Sequence, residues 1–316
     1  MGIAKKAEKG AGWCRRIGEG IASLGKVMLM SGKPSAAGEP KDKPLVIMGN
    51  GPSLREALDY GRKILKQSDL LAVNFAPNSD EFFDFRPGQL VLADPHFFIG
   101  SATDENVARL WRRLGQVDWP LTLHVPAQRR LETLRLLGTH PQIRVRYFNM
   151  TPVEGGRRLR HWLFRRGLGM PRPRNVLIPS LMIALREGYR DIRIVGADHS
   201  WSRTLWVDDM NRVISVQPHF YKEHPDEQER VAREYAGYHL HDIYQSLAIA
   251  FRSYFDIRDY AATLGARIVN ATPGSFIDAF ERGRREDFQG GILLSPFTYI
   301  TPAGESCTGR GKIEKL

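Results

Sequence analysis

From residue 45 onward, short apolar runs alternate with stretches whose apolar residues recur every three to four positions. The runs at 45–48, 70–74, 89–93, 121–125, 143–147, 191–196 and 266–269 read as strands. The stretches at 53–66, 103–114, 127–137, 157–165, 176–187 and 241–264 carry helical spacing. Strands alternating with helices predict parallel β-α-β units. The expected fold class is therefore α/β, a Rossmann-like, mostly parallel sheet with helices on both faces. Residues 199–240 break the pattern, being polar and rich in aromatics and histidine, with no strong period. A long irregular insertion after a parallel strand predicts a lid or binding loop.

The first 32 residues carry a different pattern. Trp13, Ile17, Ile21, Leu24 and Met28 repeat at helical spacing, and Lys5, Lys6, Lys9, Arg15, Arg16 and Lys26 supply positive charge. This predicts a basic amphipathic helix that lies on an anionic membrane surface or packs on the body. Residues 33–44, rich in Pro and small polar residues, read as a linker. The expected organisation is thus a basic segment at 1–32, a linker at 33–44, one domain at 45–285 with the lid inserted, and a tail at 286–316.

Composition narrows the ligand class more than the fold. With 316 residues and 42% hydrophobic content, the chain can bury a large core. A net charge of +11 favours anionic partners such as phosphorylated substrates, nucleic acid or an anionic membrane. Cys14 and Cys307 stand far apart and in no metal-binding spacing, which fits a reducing compartment. No apolar run approaches a membrane span, and Lys26 interrupts the only signal-like stretch. These features predict a cytoplasmic protein, in peripheral contact with the inner face of the membrane through 1–32 and 155–174.

Several motifs carry candidate chemistry. In Gly49-Asn50-Gly51-Pro52-Ser53 the glycines permit a tight turn, and Ser53 with Glu56 has capping-box spacing. A helix N-terminus of this kind favours an anion. The pattern is neither a dinucleotide fingerprint nor a P-loop. Asn74 and Asp94 end two predicted strands, where parallel sheets bind ligands. Residues 155–174 hold seven arginines and no acid, with Trp162 and Phe164 interleaved, a composition suited to phosphate, anionic lipid or RNA. Asp198-His199-Ser200-Trp201 follows a strand, and His219, Tyr221, His224, His239 and His241 lie in or beside the insertion. Histidines here are candidate general bases. His239-x-His241 lacks the partners that mark a zinc site, so no metal is expected.

Taken in order, Gly49-Asn-Gly-Pro-Ser-Leu54, the strand ending in Asn74, Asp94-Pro-His-Phe-Phe98, Glu187-Gly-Tyr-Arg-Asp-Ile-Arg-Ile-Val-Gly-Ala-Asp198 and Thr272-Pro-Gly-Ser275 resemble the bacterial lipooligosaccharide sialyltransferases, glycosyltransferase family 42. They also resemble the MptE-like and motility accessory factor proteins. The resemblance implies a GT-A-like variant of the Rossmann sheet. It further implies a metal-independent, inverting glycosyltransferase that moves sialic acid or a related acidic sugar from a CMP-activated donor to a glycan or glycolipid acceptor. No cofactor beyond the nucleotide-sugar donor is implied, and a homo-oligomer is compatible with it.

By resemblance, Gly49, Asn50, Gly51 and Ser53 hold the cytidine monophosphate part and Asn74 the nucleotide sugar or base. Asp94 stands where the family has an asparagine, and Arg174 and Asn175 fall beside the sugar. The strand end at Asp198 completes the pattern. The family's lid tyrosines correspond to Ser200 and Trp206, with Tyr221 a substitute. Its histidine base corresponds first to His241 and second to His219. The alternatives are an MptE-like pyrophosphokinase, with Asp94 and Asp198 on Mg²⁺, and a non-catalytic membrane- or RNA-binding protein.

Overall fold

A computed structural model describes residues 2–100, 104–215, 237–283, 298–300 and 306–308. Eight parallel strands form the central sheet. They are β1 (Leu45–Met48), β2 (Asp69–Val73), β3 (Gln89–Val91), β4 (Leu121–Pro126), β5 (Ile143–Phe148), β6 (Asp191–Val195), β9 (Arg267–Asn270) and β10 (Glu281–Arg282). Their order is β10-β9-β6-β1-β2-β3-β4-β5. The α/β expectation holds, and every predicted strand is present within one or two residues of its expected bounds. Two small antiparallel pairs stand apart: β7 (Leu205–Val207) with β8 (Val213–Ser215), and β11 (Thr298–Ile300) with β12 (Ser306–Thr308).

The central strands are apolar at consecutive positions because both faces of the sheet are covered. Leu45, Ile47, Leu71, Val73, Ile192 and Ile194 point into one core. There they meet α8 (Arg157–Arg166), α9 (Leu177–Arg186) and α10 (Leu240–Thr263) through Leu163, Ile178, Leu181, Tyr254 and Ile257. Val46, Met48, Leu70, Ala72, Leu90 and Leu123 point the other way. They meet α2 (Leu54–Tyr60), α3 (Arg62–Gln67) and α6 (Glu105–Leu114) through Leu54, Leu58, Ile64, Leu110 and Leu114. Period-two alternation within each strand thus feeds two cores from one sheet. Tyr254, on α10, is wholly buried against the sheet-facing helix α9, whose residues from Leu177 to Leu185 are all buried.

The structure also departs from the pattern. The helix expected over 53–66 breaks at Gly61 into α2 and α3. Three short helices, α4 (Asp80–Phe85), α5 (His96–Ile99) and α7 (Arg130–Leu137), also lie among the described residues. Of these only α7 lies within a predicted helix; α4 and α5 are too short for periodicity to detect. The insertion at 199–240 begins with a 3₁₀ turn at Trp201–Thr204 and the β7-β8 hairpin. Residues 216–236 lie outside the described residues.

Residues 33–44 are not a loose tether. Ser35 N donates to Tyr147 O, Gly38 N to Arg186 O and Lys41 N to Gly188 O, so this segment is strapped across β5 and the end of α9. Gly188, at φ +94°, lies so close to the strap that a Cβ there would sit 1.9 Å from Glu39 O.

The N-terminal helix α1 (Gly2–Met30) packs on the body, but not through its apolar stripe. Val27 joins the first core, and Ser23 is wholly buried. The Ser23 hydroxyl donates to Glu154 O and accepts from Glu154 N. Gly20 lies against Leu159 and Gly155. The stripe of Trp13, Ile17, Ile21, Leu24 and Met28 faces outward. No helix among the described residues is long and apolar enough to cross a membrane.

A polar network crosses the second half of the sheet. The Tyr189 hydroxyl donates to Asp69 (2.7 Å) and accepts from Gln89 (3.0 Å) and Lys41 (3.1 Å). His124, on β4, donates through Nε2 to Gln89 Oε1 (2.9 Å). Burial lowers its pKa from 6.5 to about 3. The unfolded chain therefore binds a proton between those values that the folded chain does not. Stability from this group is full above pH 6.5 and is lost as pH falls toward 3. The expected slope is ~1.4 kcal/mol per pH unit in the middle of that window. Denaturant unfolding at a series of pH values should give a shallower dependence in His124→Gln than in the native chain.

Candidate functional site

The chain runs outward from β1 through β2 to β5, then returns to place β6 on the other side of β1. The direction of winding reverses between β1 and β6. Parallel sheets bind ligands in the crevice outside the carboxyl ends of such a pair. Two loops meet there: 49–53 after β1, and 196–199 after β6. Gly49 N donates to Val195 O and Gly51 N to Gly196 O, which zips them together.

Asp198 closes the junction. Its Oδ2 accepts from the Ser53 hydroxyl (2.8 Å) and from Ser53 N (3.4 Å). A Cβ on Gly51 would lie 2.0 Å from that oxygen, so only glycine admits this carboxylate. The capping box expected of Ser53 and Glu56 is absent: Ser53 makes no side-chain cap, its backbone is already helical, and its hydroxyl is given to Asp198. The anion at the start of α2 is the protein's own. Behind it, Ser275 donates to Ala197 O and Thr272 accepts from Ala197 N, tying the β9 loop to the β6 loop.

Four amide side chains point polar atoms into buried space without a protein partner: Asn50 Oδ1, Asn74 Oδ1, Asn78 Oδ1 and Asn175 Nδ2. Asn50 follows β1, and its Nδ2 donates to Val73 O at 3.1 Å, next to Asn74. Asn74 follows β2 with φ +49°, in the left-handed region that asparagine tolerates better than most residues. A small recess of about 20 Å³ lined by Met48, Asn50, Leu54, Ala76 and Phe82 opens beside Asn50. Buried polar atoms are normally paired, and each left unpaired costs about 1–3 kcal/mol. Three of them carried by strand-end and helix-start loops mark a site built for a ligand with both donors and acceptors.

Asn175 also organises a second cluster. Its Oδ1 accepts from Leu177 N (3.0 Å) and Ile178 N (3.4 Å) at the start of α9, which fixes the amide's orientation. The same oxygen lies 3.0 Å from the Tyr254 hydroxyl, and an amide oxygen can only accept, so Tyr254 donates. His199 Nδ1 lies 3.2 Å from the Tyr254 oxygen, whose single proton is already directed at Asn175. Nδ1 therefore carries the proton and donates, and Nε2 is left with a lone pair. His199 holds φ +50°, stacks on Trp201 (4.2 Å) and lies nearly parallel to the Tyr254 ring (5.6 Å). Desolvation by this surrounding lowers its pKa to about 3, and the ring is neutral at physiological pH.

The other expected residues fall as follows. Asp94, at the end of the β3 loop, is exposed and uses Oδ1 to accept from His96 N in a local turn. Arg174 is exposed beside Asn175, with no partner among the described residues. Ser200 starts the 3₁₀ turn, and Trp206 lies on β7, half exposed, paired across the hairpin with Ile214. His241 stands on the exposed first turn of α10, its Nε2 3.4 Å from the Asp242 carboxylate and its ring stacked on His239. The cap of that helix is His239, in a reciprocal capping box with Asp242, rather than His241. Thirteen residues of helix separate His241 from Tyr254, about 20 Å along the axis. His219 and Tyr221 lie outside the described residues.

No family model matches the chain. No curated protein matches it by sequence. Among solved structures, it is similar to a MAf glycosyltransferase from Magnetospirillum magneticum AMB-1, at 11% identity and a TM-score of 0.46, over 83% of this chain and 37% of that one. The chain thus spans well under half the length of that protein.

Tyr254 was missed by reasoning from sequence because its spacing in α10 is that of an ordinary core aromatic. His199 was visible as the residue after a strand-end Asp, but nothing local distinguished it from the other histidines nearby.

Proposed function

We propose that the chain is an inverting, metal-independent glycosyltransferase that transfers sialic acid or a related acidic sugar from a CMP-activated donor to a hydroxyl of a glycan or glycolipid. The observation that carries this reading is the unpaired amide atoms of Asn50 and Asn74, in the loops that end β1 and β2, and of Asn175, at the start of α9. A nucleotide sugar offers what that set lacks: base and ribose donors for two carbonyl oxygens, and an acidic oxygen for an amide N–H.

The mechanism needs one base and one anion-stabilising group. His199 Nε2 takes the proton of the acceptor hydroxyl. The acceptor oxygen forms its bond to the anomeric carbon as the bond from that carbon to the phosphate oxygen breaks. The electron pair leaves with cytidine monophosphate. Tyr254 and Asn175 hold the histidine tautomer, and the imidazolium formed returns its proton to solvent. The exposed guanidinium of Arg174, next to Asn175, is assigned to the leaving phosphate or the sugar carboxylate. The start of α2 is not assigned to the phosphate, because Asp198 occupies it. Base catalysis passes from His241 to His199 in this reading, on the separation along α10 and on the lone pair at Nε2.

Calorimetry and thermal shift with cytidine monophosphate test the donor class. Binding that raises the melting temperature in step with ligand concentration is expected, since a ligand held only by the native state stabilises it. Binding of ATP with Mg²⁺ in preference to cytidine monophosphate would overturn the reading in favour of a pyrophosphokinase.

A further inference from the structure

The outward stripe of α1 is a large apolar surface that the fold leaves uncovered. Trp13, Ile21, Met28 and Leu29 are 61, 66, 84 and 88% exposed. Between the stripe and α8 runs a groove of about 350 Å³, lined by Trp13, Ile17, Gly20, Ile21, Leu24 and Leu159. Helical spacing places Trp162 and Arg166 one turn and two turns beyond Arg158, on the exposed side of α8 that borders Leu159. Arg158, Arg165, Arg166 and Trp162 are all exposed there, and Arg166 lies 4.7 Å over the Trp162 ring.

Charge decides what this surface meets. Helix α8 carries five arginines and no acid, and α1 carries six basic residues against Glu8 and Glu19. Arg16, Arg157 and Arg158 have no acidic partner among the described residues. An apolar stripe edged by unbalanced arginines and two exposed tryptophans is suited to a headgroup layer. Tryptophan sits at the boundary, aliphatic side chains enter the acyl region, and guanidinium groups meet lipid phosphates. A second copy of this face would leave the arginines to be desolvated without counter-charges.

We infer that the α1 stripe and the arginine edge of α8 together form a docking surface for an anionic lipid bilayer, with α1 lying in the plane of the interface. The apolar stripe supplies insertion, and the α8 arginines supply selectivity for anionic headgroups. This surface is independent of the nucleotide reading, so it stands or falls separately.

Flotation of the full chain with vesicles tests it. Equimolar phosphatidylglycerol and phosphatidylethanolamine vesicles should bind the protein, and phosphatidylcholine vesicles should bind it at least about tenfold more weakly. The double variant Ile17→Asp, Ile21→Asp and the double variant Arg158→Glu, Arg166→Glu should each weaken binding about tenfold or more. All four residues are at least partly exposed, so melting temperatures should stay near that of the native chain. Leu134→Asp, on the exposed face of α7, serves as the control and should bind as the native chain does. Equal binding to both vesicle types would overturn the inference. So would normal binding by the Ile17/Ile21 variant, which would leave a purely electrostatic surface of the kind RNA uses. A dimer in sedimentation without lipid, abolished by the same apolar variant, would assign the face to a second copy instead.

Discussion

His199→Asn should reduce transfer by about 10²–10⁴-fold while leaving cytidine monophosphate binding and the melting temperature close to native, the range expected for loss of a positioned general base. Asparagine tolerates the left-handed backbone that this position adopts, so the variant should fold. Its loss should appear in kcat rather than in KM for the donor. The pH profile adds a second check. The base-competent neutral form is lost as pH falls through the folded pKa, which burial lowers to about 3. The acid limb of kcat in the native enzyme should therefore lie well below the 6.5 of an ordinary histidine. Tyr254→Phe removes the acceptor that holds Nδ1–H, and should lower kcat by a smaller factor without altering donor affinity. His241→Ala is the discriminating control. It should leave activity within a few-fold of native, and its inactivation alongside an active His199→Asn would return the base to the first turn of α10.

Asn175→Asp should weaken donor binding by about 10–100-fold with little loss of stability, the scale of one hydrogen bond to a charged group replaced by a repulsion. The reason lies in the two ends of the amide. Oδ1 is engaged with Leu177 N, Ile178 N and the Tyr254 hydroxyl, and an aspartate oxygen can accept all three. Nδ2 is the unpaired end, and the substitution puts a negative oxygen in its place. If Nδ2 faces an acidic donor, affinity falls while the fold survives. Asn175→Ala would remove the helix cap as well and cost ~1 kcal/mol of stability, mixing the two effects. Asn50→Asp, whose unpaired atom is an acceptor, should lose less, because a carboxylate oxygen still accepts there. Calorimetry of both aspartate variants with cytidine monophosphate compares them directly. Equal, small losses would mean that neither amide faces the ligand.

How far the site was legible follows from the range of each interaction. Asn50, Asn74 and Asp198 were identifiable because they end apolar runs, and in a parallel sheet the residue after a strand lies at the ligand-binding edge whatever the rest of the chain does. The Ser53–Glu56 spacing misled. It is a local signal for a helix start, and a long-range acceptor, Asp198, displaced it from 145 residues away. His241 drew attention as a histidine near a helix start, yet the helix is capped by His239 and carries His241 on its exposed side.

Periodicity and punctuation alone determined the α/β class, the parallel sheet, the residues at its carboxyl edge, and the amphipathic character of α1. Each depends on residues near one another in sequence. Tertiary structure decided which side of α1 is buried. Small residues, Gly20 and Ser23 with Val27, permit the close approach to residues 154–159 that the larger apolar ones would prevent, so the stripe faces out. It likewise decided which histidine holds a free lone pair. That choice rests on one shared proton between Tyr254 and Asn175, residues 79 apart that meet only because α10 packs on α9.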